Sequence, residues 1–180
     1  MGALGASLAA MVANLSSHKK GWDERWQEFS SWAERGQHYK NELLRLVDLD
    51  TIAFNKIMVA FGLPKSTQDE IAIRTQAIQE ATKYAIEVPF KVMKAAYQSM
   101  EVIKAMAETG NPNSVTDAGV AALCARTAVL GAFMNVRVNA SGYHDKGFIK
   151  EILNEGEALQ QMAIDTEAEI IAIVNNKIDI

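Results

Sequence analysis

Three observations predict an all-α fold for this chain. Apolar residues recur at helical spacing almost throughout its 180 residues, only three prolines interrupt them, and no segment sustains the apolar–polar alternation of a half-buried strand. The composition agrees: 49% apolar and 22% charged residues are ordinary for a globular chain with one sizeable core. No stretch reads as a flexible linker or a tandem repeat, so residues 1–180 are expected to form a single helical domain, a bundle of about five to six helices.

The elements follow in chain order. The Ala/Gly-rich "GALGASLAAMVANLSS" predicts a first helix over roughly 2–17; it lacks a basic stretch ahead of its apolar run and is too short to cross a bilayer, so no membrane association is expected. A long second helix covers roughly 22–61, with room for a bend, and stops at "FGLP", where Gly62 and Pro64 end it. Thr67 stands three residues before Glu70, the spacing of a capping box, and starts a third helix. Pro89 removes one backbone donor and crowds the preceding turn, so 67–88 and 90–109 read as either two helices or one kinked helix. After the loop "TGNPNS", Ser114 or Thr116 caps a helix over about 116–138; "NASGYHD" breaks it, and Asp145 caps a last helix running to about 177. Two of these helices, with "GALGASLAA" and "DAGVAALCARTAVLGA", carry unusually small residues. That places them at the tightly packed centre of the bundle or at a subunit interface, unless the alanines merely serve helix propensity.

Charge and cysteine content exclude several function classes. A net charge of −4, with basic residues scattered singly apart from Lys19-Lys20, gives no footprint for nucleic acid. Cys124 is the sole cysteine, so no internal disulfide forms, and His18, His38 and His144 lack any paired ligand, so no metal site is expected. A reducing, cytoplasmic location follows. Trp22 and Trp26 lie one turn apart with Phe29 nearby, and are read as packing residues; His144 lacks an identifiable nucleophile or orienting partner, and is read as a loop residue.

The unusual residues are polar groups on apolar helix faces. With about 100° of rotation per residue, Leu43, Leu46, Val47, Ala53, Phe54, Ile57 and Phe61 all fall within about 60° of Asp50. Asp50 therefore occupies the middle of the apolar stripe. Arg74 likewise shares a face with Ile71, Ala77, Ile78, Ala81, Ala85 and Val88. A carboxylate in such a position raises its pKa, finds a cation, of which Arg74 is the candidate, or lines a wet cavity. The alternative is a buried polar network that fixes helix register. Asp117, Asn135 and Asn139 share one face of the small-residue helix, with Asp117 and Asn135 about 27 Å apart along its axis. If both line a site, a long ligand or a second subunit spans them. Asp117 is equally well explained by its place in a first helical turn, and the two asparagines by their place near a helix end.

Taken together, "GALGASLAAMVANLS", "LVDLDTIAFNKIMVAFGLPK", the arginine of "AIRTQAIQEATKYAIEVP", "GNPNSVTDAGVAA" and "GAFMNVRVN" resemble, in order and spacing, the cyclodeaminase family. This is the C-terminal helical domain of formiminotransferase-cyclodeaminase, found also as stand-alone cyclodeaminase or methenyltetrahydrofolate cyclohydrolase. The resemblance implies an all-helical, homodimeric domain that binds a tetrahydrofolate derivative in a groove associated with the subunit contacts, with a formiminotransferase domain or protein as a further partner. It implies closure of 5-formimino-tetrahydrofolate to 5,10-methenyl-tetrahydrofolate with release of ammonia, a step of one-carbon metabolism and histidine degradation. Related members hydrolyse the methenyl ring instead. The family's catalytic aspartate is the second acid of its "LVDxD" stretch, which is Asp50 here. Arg74, Asp117, Asn135 and Asn139 are added as substrate-binding residues from face geometry alone. The family's Gly/Ser-rich "GGGS" segment ahead of the "GALGA" helix is expected to be lacking, because the chain starts at Met1 inside that helix. A non-catalytic helical dimerisation module is the reading from a different class.

Overall fold

The computed structural model describes residues 1–178. Its helices are α1 (Gly2–Ser17), α2 (Trp26–Phe61), α3 (Gln68–Thr109), α4 (Val115–Ala140) and α5 (Lys146–Ile178), with single 3-10 turns at Asp23–Arg25 and Pro112–Ser114. Among the described residues there are five α-helices and no strand, as the periodicity predicts.

α1 and α4 form the centre. Ala6, Ala9, Ala10 and Ala13 of α1 and Ala118, Ala121, Ala122 and Ala125 of α4 are wholly buried. A Cβ on Gly5 would stand 2.8 Å from the Ala121 carbonyl oxygen, and one on Gly36 would stand 2.9 Å from the Ala10 Cβ. Only glycine permits that approach, so the small residues set the spacing of α1 between α2 and α4. Bulk comes from the surrounding helices: Phe29 and Leu46 of α2, Met93, Met100, Ile103 and Met106 of α3, and Ile170 of α5 all pack without exposure or nearly so.

α2 starts four residues later than its periodicity suggests. Gly21 adopts a φ of +85°, a left-handed turn that breaks the helix path, and the 3-10 turn follows it. Trp22 stacks on Phe29 with ring centroids 5.5 Å apart, as expected of packing residues, whereas Trp26 is 57% exposed.

α3 is one helix of 42 residues that passes through Pro89. Its start is the expected capping box: the Thr67 hydroxyl accepts from the Glu70 N–H at 3.2 Å, and a Glu70 carboxylate oxygen accepts from the Thr67 N–H at 3.0 Å. Pro89 has no N–H for the carbonyl four residues back, which is that of Ala85. The side-chain amide of Asn139, on α4, donates to that carbonyl at 2.8 Å. The vacancy left by proline is filled from a neighbouring helix, and the ladder continues beyond it.

The Asp145 carboxylate accepts from the Phe148 N–H at 3.0 Å and so caps α5. The loop before it is stapled to α3 by Gln79, which accepts from the His144 N–H at 2.8 Å and donates to the Gly142 carbonyl at 3.1 Å. Towards the α2–α3 connection the core thins. Phe54, Met58, Val59 and Phe61 of α2 and Ile71 and Ile73 of α3 are exposed.

Candidate active site

Asp50 lies at the border between the thick and the thin parts of the bundle. The stripe around it divides there: Leu43, Leu46 and Ala53 are buried, Ile57 is half-buried, and Val47, Phe54 and Phe61 are exposed. The expectation of a core-facing carboxylate is corrected accordingly, because Asp50 is exposed. Its periodicity gave the right face of α2, but along this part of the helix that face is only partly covered by other helices.

What Asp50 faces is a groove of about 440 Å³. Met1, Gly2 and Ala3 at the start of α1, Leu43, Leu46 and Val47 of α2, and Pro89 and Val92 of α3 give it a largely apolar lining. α4 contributes Thr127, Gly131 and Asn135, one turn apart, with Ala128 and Ala132 between them. The volume suits a small organic ligand, and a mostly apolar wall carrying a few polar groups is the usual make-up of such sites. Among the described residues no side chain pairs with the Asp50 carboxylate. Of the three outcomes open to a carboxylate on an apolar stripe, lining a wet cavity is the one realised, since solvent access avoids the cost of burying the charge.

The other expected residues are distributed differently. Asn135 shares the groove with Asp50. Arg74 does not, and the anticipated Asp50–Arg74 ion pair is absent. Its guanidinium lies over the Phe61 ring and donates to the Phe61 carbonyl at 3.2 Å, eleven residues or about 16 Å further along α2. There it satisfies a free carbonyl at the negative end of α2, a good position for a cation. Asp117, half-buried in the first turn of α4, also stands away from the groove, where it complements the positive end of the helix. Asn139 turns towards α3 and is engaged with the Ala85 carbonyl. Among the groove residues that the sequence reading missed, Thr127 and Gly131 stand eight and four residues before Asn135, on the same helical row. That spacing was the signal that could have revealed them.

Fold and groove together define an all-α domain with a mainly apolar groove that carries Asp50 on its wall. The profile of the formiminotransferase-cyclodeaminase family matches residues 1–158, and the chain belongs to this family. It is 36% identical to the methenyltetrahydrofolate cyclohydrolase of Methylorubrum extorquens, over 99% of this chain and 86% of that protein. It is 31% identical to the formimidoyltransferase-cyclodeaminase of Rattus norvegicus, over 94% of this chain but only 31% of that longer protein. Among solved structures, formiminotetrahydrofolate cyclodeaminase from Thermotoga maritima superposes with a TM-score of 0.83 at 27% identity, covering 97% of this chain and 83% of that one. The family is thus one of folate-metabolising enzymes.

Proposed function

We propose that this chain acts on the one-carbon bridge between N5 and N10 of tetrahydrofolate, as a formimidoyltetrahydrofolate cyclodeaminase. The observation that carries the reading is the Asp50 carboxylate, held without an ion-pair partner on the wall of an apolar groove. In 5-formimino-tetrahydrofolate, N10 attacks the formimino carbon, and the protonated formimino group becomes an amine on a tetrahedral carbon. Asp50 takes the proton from N10 as the new C–N bond forms. It hands that proton to the amine, whose bond to carbon breaks as ammonia leaves, giving the 5,10-methenyl cation. Charge and protons balance, and Asp50 ends as it began. A positioned acid–base group of this kind contributes about 10²–10⁴-fold in rate. Asn135, across the same groove, is assigned a hydrogen bond to the polar edge of the pterin.

A second reading, methenyltetrahydrofolate cyclohydrolase, is favoured by the 36% identity to a protein of that name and comparable length. The same carboxylate would then take a proton from the attacking water. The two are separated by supplying both substrates and following the methenyl chromophore, which rises in the first reaction and falls in the second. Asp50→Asn is expected to fold normally and to lower kcat on the true substrate by about 10²–10⁴-fold. Near-native turnover by that variant would overturn the role of Asp50, and inactivity of the unsubstituted chain on both substrates would leave the helical interaction module.

The exposed apolar residues of α2 and α3 support a second copy of the chain as partner, and a formiminotransferase, fused or separate, is the matching source of the formimino group.

A further inference from the structure

Gly131 lies within α4, nine residues before its end at Ala140. Glycine inside a helix loses propensity relative to alanine and therefore calls for a reason. For three of the helical glycines the reason is visible: the Ala121 carbonyl blocks a Cβ at Gly5, Ala10 blocks one at Gly36, and the Phe133 ring blocks one at Gly156. Gly119 is in ordinary contact with Val174. At Gly131 a Cβ would meet nothing within 4 Å. Nor does its backbone require glycine, since Gly21 is the one residue with positive φ among those described. Packing and conformation both leave the position open to alanine.

The space a side chain would fill is the groove. Gly131 stands between Thr127 and Asn135 on the row of α4 that helps to enclose the cavity bearing Asp50. We propose that Gly131 is a specificity-determining residue, whose bare backbone is the surface against which the flat pyrimidine ring of the reduced pterin lies. This rests on the folate reading above and gives it a binding orientation: ring face on the α4 backbone, polar edge towards Asn135, and the N5–N10 bridge at Asp50. Flat rings gain dispersion energy only at close contact, and a gap of about 0.5–1 Å forfeits a quarter to a half of it. A methyl at this position holds the ring off the helix. The same displacement misplaces the bridge relative to Asp50, and errors of about 1 Å at a reacting centre reduce rates by about 10²-fold.

The proposal separates stability from binding, so Gly131→Ala tests it directly in the full chain. Thermal unfolding should give a Tm higher by about 2–4 °C, from helix propensity alone. Sedimentation should give the mass of the unsubstituted protein. Calorimetry with 5-formyl-tetrahydrofolate, a non-reacting probe, should give at least tenfold weaker binding, with kcat/KM on the true substrate lower by a similar or larger factor. Unchanged affinity overturns the proposal, and so does a lower Tm, which would mean that α4 packing needs the glycine. Loss of binding together with a changed mass also overturns it, because the glycine would then serve contact between copies. Absence of binding by the unsubstituted chain removes the folate reading itself, and that control distinguishes the two failures.

Discussion

Asn139 illustrates how the role of one side chain depends on a residue 50 positions away in the same chain. The amide occupies the Ala85 carbonyl that Pro89 leaves without a backbone partner, and Pro89 in turn forms part of the groove wall. Asn139→Ala should lower stability by about 1–3 kcal/mol, the penalty for an orphaned polar group, with urea denaturation as the measurement. Asn139→Asp keeps the shape but removes the donor, so it should lose at least as much; a variant as stable as the native chain would refute the bond's importance. Asp50 is the opposite case. Exposed and unpaired, it has little structural work, and Asp50→Asn should change stability by no more than about 0.5 kcal/mol. Loss of turnover in that variant can therefore be read as chemistry.

Among the elements, α1 and α4 matter most, because the spacing between them is set by atoms that cannot move independently. A Cβ on Gly5 would stand 2.8 Å from the Ala121 carbonyl oxygen, which is part of the α4 backbone. Gly5→Ala should therefore lower stability by about 1–3 kcal/mol despite the gain in helix propensity, as a drop in Tm would record. Its sign is opposite to that expected at Gly131. Glycine at one place admits a neighbouring helix and at the other leaves room for a ligand, and the two uses look alike in sequence. The small-residue stretches announced close packing, yet only the neighbouring atoms reveal which glycines are compelled by it. The same holds for Arg74. Helical angles gave its face on α3, but the face alone does not say which turn of α2 it meets, and it meets the C-terminal turn at Phe61 rather than Asp50.

For the whole molecule, the thin end is where apolar side chains stand exposed. Phe54 is 62% exposed and Met58 55% exposed, one turn apart on the same face of α2 as the exposed Phe61. Apolar clusters of this sort on an isolated chain mark association surfaces. The chain should sediment as a dimer, and Phe54→Glu combined with Met58→Glu should convert it to monomers with the helical content retained. A native chain that sediments as a monomer at micromolar concentration would refute the assembly.

The sequence by itself determined the all-α class, the order of the helical segments, the caps at Thr67 and Asp145, and the faces of α2 and α4 on which Asp50 and Asn135 stand. These were legible because helical periodicity and capping are local, set by neighbours within a few positions along the chain. Only the tertiary structure decided that Asp50 faces a cavity and not a cation, that α3 passes unbroken through Pro89, that Asn139 serves the backbone, and that Thr127 and Gly131 belong to the site. Each depends on which helix lies opposite, and that is fixed by packing between segments far apart in sequence.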